Sequence, residues 1–243
     1  MDPDSPLPRL TDGVAQHLRA MVHSGEILPR HRFPAERELA ARLSVSRETL
    51  REALRQLQKE GYVEVRRGPQ GGAYVTGLEI PAQSWRQRMR QDESAVDELF
   101  DFRVAVEMAS ARFAALRRTG EDLYRMQRAV SAMVSAGNRD DFRLHDSRFH
   151  EAVAAAARSP RLQRSVRQAR GEIFTPMDLL GIPTSPQDDA ERHTGILEAI
   201  RERDEALAAA RMSEHVEHTR EHLRSILTAS AETGDLGGPQ GQR

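Results

Sequence analysis

Residues Glu36 to Glu60, ERELAARLSVSRETLREALRQLQKE, constrain the fold of this chain more than any other stretch. Two short amphipathic patterns meet at a tight break. Leu39, Ala40 and Leu43 share one side of the first, and Leu50, Ala53, Leu54 and Leu57 recur at helical spacing in the second. Ser44 and Val45 make the turn, and Ser46 suits the N-cap of the second helix. Arg47, Arg51 and Arg55 stand four apart on the opposite, solvated side. Helix, short turn and basic-faced helix is the helix-turn-helix layout, although a charged solvated face alone looks similar.

The residues that follow decide between the two readings. After Gly61 the period changes to two: Tyr62 to Val65 reads as a strand, Arg66 to Gly72 as a turn, and Ala73 to Val75 as the return strand. A basic-tipped hairpin behind a helix-turn-helix predicts a winged helix. Between Arg37 and Arg67 eight basic and five acidic residues give a local net of +3, in a chain whose overall net charge is -1. The basic charge is therefore local, which fits a directed nucleic-acid contact better than indiscriminate coating.

The run from Phe33 to Gly68 resembles the N-terminal domain of GntR-type bacterial transcription regulators. The Pro-x-Glu-Arg start and the Ser-Arg-x-x-x-Arg-Glu-Ala helix carry the likeness. The resemblance implies contacts to double-stranded DNA from Arg37, Ser46, Arg47, Thr49, Arg51, Arg67 and Gly68. It also implies a homodimer on a short imperfect palindrome. Before this unit, Leu10 to Val22 forms a helix that Gly25 ends, expected to cover the back of the helix-turn-helix.

With 243 residues the chain has room for two ordinary domains. The expected layout is a winged helix over 8–76, a linker over 77–93 with a short helix around Trp85, a helical domain over 94–229 and a disordered tail over 230–243. Trp85, the only tryptophan, is expected to dock against the second domain rather than to touch a ligand. No run of about eighteen apolar residues occurs, so no membrane span is expected. The opening MDPDSPLPRL is acidic and Pro-rich, unlike a secretory leader. The chain has no cysteine, which excludes disulfides and thiolate metal sites and suits a cytoplasmic protein.

From Ala95 onward the periodicity is helical and predicts an antiparallel bundle. Leu99, Phe102, Val106, Ala109 and Phe113 supply the apolar side of its first long helix. A Pro/Gly loop is expected around Gly181 to Pro186. The fold class is thus mostly α, a winged helix-turn-helix with a small hairpin wing followed by an all-helical bundle. Four further motifs resemble the FCD effector-binding domain of FadR-like GntR regulators. They are R-x-x-x-E at Arg103 and Glu107, D-x-x-F-H at Asp146 to His150, H-x-x-I-L-E-A-I from His193, and M-x-x-H at Met212 to His215. Ser159-Pro160 stands where the family commonly has Asn-Pro; serine caps a helix as well, so little effect is expected.

Asp146 and His150, four apart on a helix, project from one face and can grip a divalent ion, with His193 and His215 available from other helices. On spacing alone, surface histidines in a chain with nine of them are the favoured explanation. The resemblance implies that Asp146, His150, His193 and His215 hold one metal ion per chain, zinc first, with nickel or manganese as the other candidates. Arg103 and Glu107 read either as a surface i,i+4 pair or, by resemblance, as placing Arg103 at the effector cavity facing a small carboxylate. The resulting function is a DNA-binding repressor released by a small organic acid. The alternatives are a metal-dependent enzyme acting on a small carboxylate, or a regulator whose metal is purely structural. No separate acid–base motif such as HExxH is present, so no enzyme is expected.

Overall fold

The computed structural model describes residues 10–68, 71–173 and 186–232. The wing-tip Pro69 and Gln70, the Pro/Gly loop before Pro186 and the expected tail beyond 232 lie outside the described residues, as do residues 8 and 9 of the first domain.

Three helices and a hairpin form the N-terminal unit: α1 (Leu10–His23), α2 (Glu36–Leu43), α3 (Arg47–Lys59), β1 (Val63–Arg66) and β2 (Gly72–Val75). The break between α2 and α3 is built by two serines. Ser44 takes a left-handed φ of 55° and its N–H bonds the last carbonyls of α2. The Ser46 hydroxyl accepts from the Thr49 N–H at 3.0 Å and starts α3. Leu39, Ala40, Leu50, Ala53, Leu54 and Leu57 are buried together, as the spacing predicts. The hairpin is antiparallel, with Val63 opposite Val75 and Arg66 opposite Gly72, so the fold is a winged helix-turn-helix.

The remaining helices are α4 (Glu79–Gln91), α5 (Glu93–Arg117), α6 (Gly120–Val134), α7 (Arg139–Ala156), α8 (Pro160–Glu172), α9 (Pro186–Arg201) and α10 (Glu205–Glu232). From α5 on they form the helical bundle. Along α5 and α10, Asp97 pairs with Arg224, Asp101 with Arg220 and Arg112 with Glu205, so these two helices run antiparallel. Helix starts follow from capping chemistry: Thr119 and Asp122 make a capping box on α6, and Asn138 and Ser159 cap α7 and α8.

The structure differs from the sequence expectation at three places. Residues 79–91 are one continuous helix, entered through Leu78 at φ 69°, longer than the short helix expected around Trp85. Its apolar side is only Pro81, Ala82, Trp85 and Met89, too sparse among polar residues to register as a period. Next, α5 is rotated from the expected phase: Phe102 is 36% exposed, while Phe100, Arg103 and Glu107 face inward. A hydrophobic-face rule cannot assign an inward side that carries charges. Finally, α10 continues to Glu232, into the segment expected to be tail.

Helix α1 does more than cover the helix-turn-helix. It packs on α3 and also on α8 of the bundle, and one continuous apolar cluster runs from Val14 to Leu223. At this junction His23 is buried between the two units. Its Nδ1–H donates to the Gly171 carbonyl at 2.8 Å, which leaves Nε2 to accept from the Tyr62 hydroxyl at 3.0 Å. Burial pushes the His23 pKa down to about 3. The unfolded imidazole titrates near 6.5, so the neutral His23 stabilises the fold fully above that pH. That contribution is lost as pH falls towards the folded value, by about 1.4 kcal/mol per unit. A His23→Gln protein keeps an amide for both partners without a titrating ring. Between pH 7 and pH 5 it is expected to lose about 2 kcal/mol less stability than the wild type. Denaturant titrations at the two pH values check this; equal losses in both proteins would contradict it.

Candidate metal centre and nucleic-acid interface

The basic side chains singled out for DNA lie on the outer side of the winged helix. Arg37, Arg47, Arg51 and Arg67 are exposed, as is Gly68 at the described edge of the wing. Arg51 Nε donates to Glu36 Oε2 at 2.7 Å, and Arg47 comes within 4.0 Å of the same oxygen. The first turn of α2 and the first turns of α3 therefore share one surface. Exposed pairs of this kind contribute ~0–1 kcal/mol, so both guanidiniums exchange readily to another anion. The Ser46 and Thr49 hydroxyls lie 2.8 Å apart at the N-terminus of α3, where backbone N–H groups and the helix dipole favour negative charge.

In the bundle, Asp146 and His150 come from α7, His193 from α9 and His215 from α10. One ligand atom from each lies within 4.8 Å of the other three, and the three histidines are buried. The surface-histidine alternative does not describe these residues. Hydrogen bonding sets the imidazole tautomers. His193 Nδ1–H donates to the Asp189 carbonyl at 2.6 Å, and His150 Nδ1 abuts the Glu107 carboxylate. The Nε2 atoms of both rings then point into the cluster. His193 Nε2 lies 3.0 Å from Asp146 Oδ1, and His150 Nε2 lies 3.6 Å from the same oxygen and 3.2 Å from His215 Nε2. Burial, with the two neighbouring histidines, holds the His215 pKa well below 6.5. Ring nitrogens and a carboxylate oxygen facing one another suit a cation. Nitrogen-rich ligands with one oxygen suit zinc, nickel or manganese.

Charged groups surround the cluster. Arg103 is 4% exposed and Glu107 1%, so their pair is not a surface pair. Arg103 Nε donates to Glu107 Oε1 at 2.6 Å. Burial opposes ionisation of Glu107, but His150, Arg103 and Arg170 outweigh it and hold the carboxyl well below its ordinary range. Asp146 is likewise held down against burial, chiefly by Arg170, whose Nη2 donates to Asp146 Oδ2 at 2.5 Å. A solvent-open cleft of about 470 Å³ between α9 and α10, lined by Asp188, Glu191, Arg192, Arg211 and Glu214, reaches His215.

Sequence reasoning missed three members of this arrangement: Glu107 as the partner of His150, Arg170 as the partner of Asp146, and the Asp189 carbonyl behind His193. Glu107 stood in a quoted motif without that role. Arg170 carries no signal of its own in the arginine-rich stretch RLQRSVRQAR.

Residues 10–75 match the family described as bacterial regulatory proteins, gntR family, and residues 98–218 match the FCD domain. A regulatory protein of Escherichia coli named for the L-lactate dehydrogenase operon is 30% identical over 209 residues, spanning 79% of this chain and 78% of that protein. The galactonate operon transcriptional repressor of Escherichia coli is 29% identical over 204 residues, 80% of this chain and 88% of the repressor. The HTH-type transcriptional regulator LutR of Bacillus subtilis is 29% identical over 217 residues, 84% of this chain and 96% of LutR. Among solved structures, Escherichia coli McbR/YncC matches with a TM-score of 0.57 at 19% identity, over 93% of this chain and 100% of that one, a likeness of fold.

Proposed function

This chain belongs to the gntR family of bacterial regulatory proteins and carries an FCD domain, and from that premise we propose that it is a transcriptional repressor released by a small hydroxy acid. The observation that supports this reading best is the convergence of Asp146, His150, His193 and His215 inside a domain fused to a winged helix. In this reading one divalent ion per chain, zinc first, is held by those four side chains. The ion supplies a positive centre for an effector carboxylate, and Arg103 faces the remaining anionic part. The names of the relatives, which refer to L-lactate and galactonate operons, narrow the effector to hydroxy or sugar acids. A homodimer reads an imperfect palindrome in cytoplasmic DNA through Arg37, Ser46, Arg47, Thr49, Arg51, Arg67 and Gly68.

L-Lactate and galactonate are the acids to titrate, first against thermal stability and then against DNA affinity. The acid that stabilises the protein is expected to weaken DNA binding about 5- to 150-fold, a coupling of about 1–3 kcal/mol. Stabilisation with unchanged DNA affinity would leave the metal site purely structural. Turnover of either acid would favour the enzyme. Full effector affinity in an Arg103→Ala protein would remove Arg103 from the site.

A further inference from the structure

The C-terminal turn of α8 reads Arg170-Gly171-Glu172, and its three residues face two different units of the molecule. Arg170 points inward. Its Nη2 holds Asp146 Oδ2 at 2.5 Å, and its Nη1 lies 3.7 Å from Glu107 Oε1. The next two residues are gripped from the other side by α1 and α4. The Gly171 carbonyl accepts from His23 at 2.8 Å. The Glu172 carbonyl accepts from Trp85 Nε1 at 3.3 Å, and its carboxylate accepts from Gln16 Nε2 at 2.8 Å. His23 in turn accepts from Tyr62, the residue directly before β1.

Gly171 lets α1 and α8 approach closely. A Cβ at this position would lie 2.5 Å from the Ala20 Cβ, so any side chain here separates the helices. Beside the contact is a small cavity of about 40 Å³, lined in part by Met21, Ser147, Arg167, Arg170 and Gly171. The turn is tightly held along its backbone but has free space next to the Arg170 side chain.

Arg170 also has two carboxylates within reach. When Asp146 shares its charge with a cation, its hold on Arg170 weakens and Glu107 becomes the stronger partner. A guanidinium that leaves Asp146 for Glu107 changes the pull on the turn that carries it, and that turn carries the bonds to His23, Trp85 and Gln16. We propose that the Arg170-Gly171-Glu172 turn is the coupling element that reports occupancy of the Asp146 site to the DNA-binding unit. This rests on the functional reading above and assigns its regulation to one turn of helix. Arg170 is a positioning residue in this scheme, because it acts through Asp146 and Glu107.

Trp85 sits on the receiving side of the turn and is the only tryptophan in the chain, so its emission reports the contact. The test uses the full chain stripped with a chelator and titrated with Zn²⁺ alone. Metal content is measured on the same samples by elemental analysis after desalting. In the wild type, Trp85 emission is expected to shift and to saturate at one Zn²⁺ per chain. Arg170→Met is expected to bind Zn²⁺ without the shift, and Arg170→Lys, which keeps a point charge, to recover part of it. Gly171→Ala leaves the four ligands in place. It is expected to show shifted emission before any Zn²⁺ is added, with no further response and full Zn²⁺ uptake. If Zn²⁺ binds the wild type and Trp85 does not respond, or if Arg170→Met or Gly171→Ala responds like the wild type, the coupling is overturned and the metal site stands. If the wild type binds no Zn²⁺, the functional reading fails, and the coupling with it.

Discussion

Alanine at both Arg47 and Arg51 is expected to abolish operator binding while leaving the fold intact. An arginine reading a guanine edge contributes about 1–3 kcal/mol of discrimination. Each single substitution is thus expected to weaken specific binding roughly 5- to 150-fold, and the pair more. Little folding stability is at stake. Both side chains are more than half exposed, and their shared partner Glu36 is itself at the surface. Arg37 and Arg67 are expected to behave differently if they contact phosphate. Their loss weakens binding about uniformly across sequences and lowers the salt-dependence slope by about one each. Footprinting first fixes the operator, and binding titrations on operator and unrelated DNA then separate the two classes. A double variant that still selects the operator would remove α3 as the reading helix. A long, asymmetric, sequence-independent footprint would remove the palindrome.

The second large effect concerns the histidine cluster. Protein purified without a histidine tag is expected to carry one divalent ion per chain, and His193→Ala or His215→Ala to carry none. Metal bound only by the folded state stabilises by mass action, about 2.7 kcal/mol at a hundredfold excess over Kd. For a chain of this size that corresponds to roughly 5–10 °C in Tm. His193→Ala also removes a buried ring that donates to the Asp189 carbonyl, so part of its loss is unrelated to metal. Chelator-stripped wild type supplies the comparison. Its Tm isolates the metal contribution, and the stripped variant shows the packing loss alone. Sub-stoichiometric metal in the wild type, or full metal in His193→Ala, would contradict the assignment.

How far these sites were legible in the chain differs from one to the next. The winged helix was written locally. Periodicity, a serine cap and a period-two hairpin fall within about forty consecutive residues, and each is a short-range preference of the backbone. The exposure of Arg47 and Arg51 follows from the same pattern, since they lie opposite Leu50, Ala53, Leu54 and Leu57. The Asp146–His150 pair was also local, four residues apart on one helix face.

Other features needed the tertiary structure. That His193 and His215 meet that pair within 4.8 Å depends on how α7, α9 and α10 pack, which no spacing along the chain records. The inward side of α5 was misjudged because it carries Arg103 and Glu107. A buried ion pair is stable only where neighbours such as His150 and Arg170 complete it. The full length of α4 and the docking of α1 on α8 were not legible either, since which element a helix packs against is a long-range property that its own period does not record. Arginines make up all but one of the 36 basic residues, so nothing local marks Arg170 among them. The sequence by itself therefore determined the local elements and the chemistry available on them. The tertiary structure decided which identical side chains are removed from water and brought to face one another, because burial and charge pairing are properties of the packed chain.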